Sequence, residues 1–124
     1  GREENRLDYS LSWEEDFPSN CEGHEDLCDV LKGTAINREV MVAVANSHAP
    51  GLAGFLDSIK RLAIKNFMVV AIDKKLADQL KRQGVPYYYS ENKAQGNHGV
   101  SAQKFGILKE FIHVGCSVLL TDTD

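Results

Sequence analysis

The sequence predicts an α/β domain, a mostly parallel sheet with helices packed on both faces. Three observations carry that expectation. Four apolar runs alternate with helix-period segments, the pattern of strands joined by crossover helices. The runs are near-continuous rather than alternating, as strands covered on both faces are. Glycines stand where helices should stop, at Gly84 and Gly115.

The elements follow in order. Residues 1–23 are polar, broken by Pro18, Asn20 and Gly23, and read as an extended leader that Trp13 and Phe17 pin to the body. From Glu25 to about Asn37, Leu27, Val30 and Leu31 recur at helical spacing, interrupted by Gly33. Residues 39–45 form the first strand, and 46–51, Asn-Ser-His-Ala-Pro-Gly, the loop after it. Over 51–65, Leu52, Phe55, Leu56, Ile59, Leu62 and Ala63 share one helical face. The second strand, 67–72, stops at Asp73. A helix over 74–83 then buries Leu76, Ala77 and Leu80. In the third strand, 85–89, Pro86 belongs near an edge or a strand beginning. A polar loop over 90–99 carries Glu91, Asn92, Lys93, Asn97 and His98. Ser101 reads as the N-cap of a helix lined by Phe105, Leu108, Phe111 and Ile112, and 116–121 is the fourth strand.

Composition removes several classes of function. A length of 124 residues suits one small domain. A formal charge of −4 without a basic stripe speaks against a nucleic-acid partner. No apolar run approaches the length of a bilayer span, and no signal-peptide pattern opens the sequence, which reads as an excerpt. There are three cysteines. Cys21 and Cys28 would close a short loop in an oxidising compartment or stay free thiols in the cytosol. With His24 they offer only three local ligands, at a spacing unlike that of zinc sites.

Right-handed crossovers gather the carboxyl ends of parallel strands on one edge, where open α/β sheets bind ligands. That edge collects Asn46, Asp73, the 90–99 loop and the pair Asp122 and Asp124. Residues two apart on an extended backbone share a face, so the two carboxylates could converge on one hard cation such as Mn2+ or Mg2+. A solvated acidic strand end is the plainer reading. Asp73 is placed to accept from a ribose hydroxyl or a base N–H, or simply to cap the helix beginning at Lys74. The first loop lacks G-x-G-x-x-G, so no pyrophosphate cradle is encoded at the first helix.

The stretch from Arg38 to Asp124 resembles the start of the nucleotide-diphospho-sugar transferase domain of glycosyltransferase family 77, the plant and green-algal arabinosyl- and xylosyltransferases. The matching pieces are 37–46, Asn-Arg-Glu-Val-Met-Val-Ala-Val-Ala-Asn, and 66–73, Asn-Phe-Met-Val-Val-Ala-Ile-Asp. With them go 101–106, Ser-Ala-Gln-Lys-Phe-Gly, and 118–124, Val-Leu-Leu-Thr-Asp-Thr-Asp. Ser-x-x-Lys-Phe followed by Leu-Leu-x-Asp-x-Asp is the specific part. On this resemblance, 1–37 is a polar leader with a short helix. Residues 38–124 are then the nucleotide-sugar-binding half of a GT-A (Rossmann-like) domain, truncated at the second aspartate.

The resemblance implies a UDP-sugar donor, a divalent cation (Mn2+ or Mg2+), and a glycan or hydroxyproline-rich glycoprotein acceptor. It implies transfer of a pentose such as arabinose or xylose, or of galactose. Carried across by position, Ala45 and Asn46 would line the nucleotide pocket and Asp73 would hold the uracil or ribose. Lys104 would approach the donor phosphates or sugar, where its residue type otherwise suggests a surface lysine. Asp122 would stand by the sugar or ribose and join Asp124 at the metal. The remaining metal ligand, the acceptor pocket and any catalytic base would follow Asp124. His48, His98 and His113 point to no catalytic role. The family is Golgi-lumenal, held by an N-terminal anchor outside this sequence, a setting in which Cys21 and Cys28 would pair. Two rivals remain: a dinucleotide-dependent oxidoreductase, and a non-catalytic nucleotide-binding or interaction module.

Overall fold

The computed structural model describes residues 17–90, 99–121 and 123. The elements are α1 (Glu25–Thr34), β1 (Glu39–Ala45), α2 (Leu52–Arg61), β2 (Phe67–Ala71), α3 (Lys74–Gln83), β3 (Tyr87–Tyr89), α4 (Gly99–His113) and β4 (Ser117–Thr121). All four strands are parallel, in the order β3-β2-β1-β4. The chain steps outward from β1 to β3, then returns through α4 to place β4 on the other side of β1. This is the α/β architecture that the alternation predicted.

Two cores sandwich the sheet. On one face Val40, Val42, Val44, Met68 and Val70 meet Leu27 and Leu31 of α1 and Ile107 and Phe111 of α4. On the other, Ala43, Ala45, Val69 and Ala71 meet Phe55 and Ile59 of α2 and Leu76, Ala77 and Leu80 of α3. Successive strand residues alternate between these cores, which is why the runs are apolar throughout.

Several boundaries depart from the sequence reading. α1 stops at Thr34 because Ala35 is extended, and Asn37 and Arg38 then take left-handed φ values of 53° and 64°. These two form a tight reversal closed by paired bonds between Ile36 and Glu39. α4 begins at Gly99, so Ser101 lies inside it rather than at its N-cap. Its buried stripe also differs from the expected one. Ile107, Phe111 and Val114 face the core, whereas Phe105 is 69% exposed and Ile112 61%. Gly115, with φ 91°, ends that helix region as expected, and Gly84, with φ 73°, closes α3.

Of the two leader anchors, Phe17 packs against the α1/α4 core and carries the Arg38 guanidinium 5.4 Å from its ring centroid. Trp13 lies outside the described residues, as does the stretch 91–98 with His98. Cys21 and Cys28 are joined in a disulfide, so neither is a zinc ligand. The bond sits where the leader meets α1, beside His24, whose Nδ1 lies 3.2 Å from Glu110 Oε2. Tyr88 donates to the same oxygen at 2.8 Å, and its burial, then Glu110, push its phenol well above the usual range. Replacing both cysteines with serine is expected to lower stability by about 2–3 kcal/mol, from the freedom restored to the unfolded chain, as read by urea denaturation.

Candidate functional site

The strand order reverses between β1 and β4, and at such a point the loops from neighbouring strands diverge to leave a crevice at the carboxyl edge. β1 runs out there at Ala45, which is 3% exposed, and Asn46 begins the loop. The Asn46 side-chain oxygen accepts the His48 N–H at 2.8 Å and its carbonyl accepts the Ala49 N–H at 3.3 Å. An asparagine that bonds its own backbone two residues on makes a compact turn.

Asp73 ties this loop to β2. Its Oδ1 accepts the Leu76 N–H at 2.9 Å, capping α3, and its Oδ2 accepts the Ser47 N–H at 3.0 Å. Burial alone would raise its pKa. The bonds from the Ser47 and Leu76 backbones and the Ser47 hydroxyl, with the His48 charge nearby, outweigh burial and hold the carboxyl below its ordinary value. Asp73 is therefore an anion at neutral pH. The capping role is present, and each oxygen keeps acceptor capacity for a further donor.

Thr123, the residue between Asp122 and Asp124, is 1% exposed and lies between the end of β1 and the start of α2. Its hydroxyl donates to the Val44 carbonyl at 3.0 Å, and its own carbonyl accepts the Gly51 N–H at 2.8 Å. Thr123 thus lies directly against the N-cap of α2. A Cβ on Gly51 would come within 2.8 Å of the Thr123 carbonyl oxygen, so only glycine fits this approach.

The structure therefore joins Ala45, Asn46, Asp73 and Thr123 through one hydrogen-bonded edge. Asp122 and Asp124 lie outside the described residues. Lys104 is half-buried on the second turn of α4, three and seven residues before Ile107 and Phe111, and so on the stripe that faces the sheet. His48 and His113 are exposed. Among the described residues no cluster of three or more His, Cys, Asp or Glu could hold a metal ion. A recess of about 300 Å3 at the opposite, amino-terminal edge, lined by Glu39, Asn66 and Ser117, carries a single carboxylate. Sequence reasoning missed Thr123, Ser47 and Gly51. The signal for Thr123 was available in its alternation with two aspartates, since the middle residue of such a triplet faces the other way on an extended chain.

The nucleotide-diphospho-sugar transferase family matches residues 62–124, from the end of α2 through the aspartate pair. The chain belongs to that family. It is 36% identical to arabinosyltransferase RRA2 of Arabidopsis thaliana, over 79% of this chain and 25% of that protein. It is 35% identical to arabinosyltransferase RRA1 of the same plant, over 79% of this chain and 27% of that protein. The chain thus spans about a quarter of the length of these curated relatives. No solved structure matches it.

Proposed function

We propose that the chain supplies the nucleotide- and metal-binding part of a glycosyltransferase that uses a UDP-sugar donor and a divalent cation, Mn2+ or Mg2+. The transferred sugar is a pentose such as arabinose or xylose, or galactose. The acceptor is a glycan or hydroxyproline-rich glycoprotein. The observation that carries the reading is the burial of Thr123 against the carboxyl end of β1 and the start of α2, with an aspartate covalently attached on each side. Two carboxylates are the donor set a hard cation takes, so Asp122 and Asp124 fit its chemistry. The names of the relatives point to arabinose first.

In this reading Ala45 and Asn46 wall the nucleotide pocket, and Asp73, already ionised, accepts from the uracil or ribose. Lys104 brings positive charge toward the donor phosphates or sugar. The cation, when bound, would neutralise the diphosphate as it leaves. The Cys21–Cys28 bond supports an oxidising compartment, and we assign the protein to the Golgi lumen. Among the described residues no helix is long and apolar enough to cross a membrane. The dinucleotide alternative is disfavoured by the missing G-x-G-x-x-G in the first loop, and the Thr123 carbonyl already takes the Gly51 N–H at the N-cap of the first crossover helix.

Calorimetric titration of UDP into the chain, with and without Mn2+, tests the proposal. Cation-dependent binding is expected, and it is expected to vanish in the Asp122→Asn/Asp124→Asn variant. Binding indifferent to cation would overturn the metal site and favour the dinucleotide reading.

A further inference from the structure

We infer that Thr123 is a positioning residue, a two-ended clamp that sets where Asp122 and Asp124 are attached relative to β1 and α2. The inference rests on the reading of those aspartates as cation ligands. Among the described residues Thr123 and Thr34 are the buried polar side chains, and Thr123 is held at both ends. Its side chain is bonded to the penultimate residue of β1, Val44, and its main chain to the N-cap of α2, Gly51.

A buried hydroxyl with one backbone partner and a carbonyl with another leave the residue little freedom to shift or rotate. Consecutive Cα atoms are about 3.8 Å apart, so a held Thr123 limits how far the attachment points of its two neighbours can range. The clamp extends further through the loop. Gly51 closes the segment that begins at Asn46, and Ser47 in that segment is bonded to Asp73. Asp73, assigned to the nucleoside, and Thr123, which stands between the two residues assigned to the cation, are thereby tied to one loop. Outer partners of this kind orient metal ligands, and their loss typically costs about 10–100-fold in metal affinity.

The test uses UDP titrations in excess Mn2+ and in chelator, with a thermal melt of each protein. Thr123→Val keeps the shape and removes the hydroxyl. It is expected to lose about tenfold or more of the Mn2+-dependent tightening while its affinity in chelator stays within about twofold. Thr123→Ser restores the hydroxyl and is expected to restore the tightening. Gly51→Ala attacks the same clamp from the other side. The φ of −90° at Gly51 accepts alanine, so the clash with the Thr123 carbonyl is the whole perturbation, and the same loss is expected.

A Thr123→Val protein that melts lower yet keeps its full Mn2+-dependent tightening would overturn the clamp, leaving Thr123 a packing residue. If that variant does not fold, Gly51→Ala decides, and full tightening there overturns the clamp equally. A wild-type chain whose UDP affinity ignores Mn2+ would instead overturn the cation site itself, and the clamp's role with it.

Discussion

Phe111→Ala is expected to destabilise the chain by about 3–5 kcal/mol, measured by urea denaturation, whereas Ile112→Ala beside it should change stability by no more than about 0.5 kcal/mol. The two residues are adjacent, both apolar and both on α4. Phe111 is fully buried against the β1–β2 face, packed in one cluster with Leu27, Leu31 and Met68. Deleting its ring removes the transfer contribution and leaves a cavity that the rigid sheet on one side cannot collapse to fill. Ile112 is 61% exposed and leaves no cavity. Equal losses at the two positions would show that α4 is rotated about its axis from the arrangement described above.

Asp73→Ala is the second large effect. It removes the α3 cap, which contributes about 1 kcal/mol, and the charge-assisted bond from the Ser47 N–H, which contributes about 1.5–3 kcal/mol. A total loss of about 2.5–4 kcal/mol is expected, read by thermal or urea unfolding. Asp73→Asn keeps an acceptor at the cap and should lose roughly half as much. The pH dependence follows from the direction of the shift. The folded-state pKa lies below the ordinary 3.8, so the ionised form stabilises the fold. That contribution is fully present well above 3.8 and disappears as pH falls through the folded value. Asp73→Asn should therefore differ from the parent in stability at pH 6 and converge toward it at pH 2. A constant gap at all pH values would assign the effect to shape rather than charge.

How far the sequence could be read is clearest on the two crossover helices α3 and α4. For α3 everything needed was local. Asp73 caps it, Leu76, Ala77 and Leu80 fall at spacing that admits one stripe, and Gly84 ends it in the left-handed region. In α4 the residues Phe105, Ile107, Leu108, Phe111 and Ile112 are apolar on more than one side, so periodicity alone does not choose a face. The sheet chooses it. The strand runs were equally legible because each is apolar on both sides. The carboxyl edge was legible as a list of residues, from Asn46 through Asp73 to the aspartate pair. What joins them was not. The bonds from Ser47 to Asp73, from Gly51 to Thr123 and from Thr123 to Val44 cross 26, 72 and 79 positions of sequence, and no local pattern announces them.

That separation also orders events in time. β1, β2 and β3 pair across short crossovers, but the seam between β1 and β4 brings Val118 against Val40 and waits for nearly the whole chain. Closing a longer loop costs more entropy, and non-local pairing is correspondingly slow. Of these four strands β4 is also the last to leave the ribosome. The inner three-stranded unit can gather first, and the crevice comes into being only when β4 docks beside β1. Within this four-stranded sheet the carboxyl edge at which we place the ligand is thus the last part to form, and a chain halted one step earlier would have three paired strands and an incomplete edge.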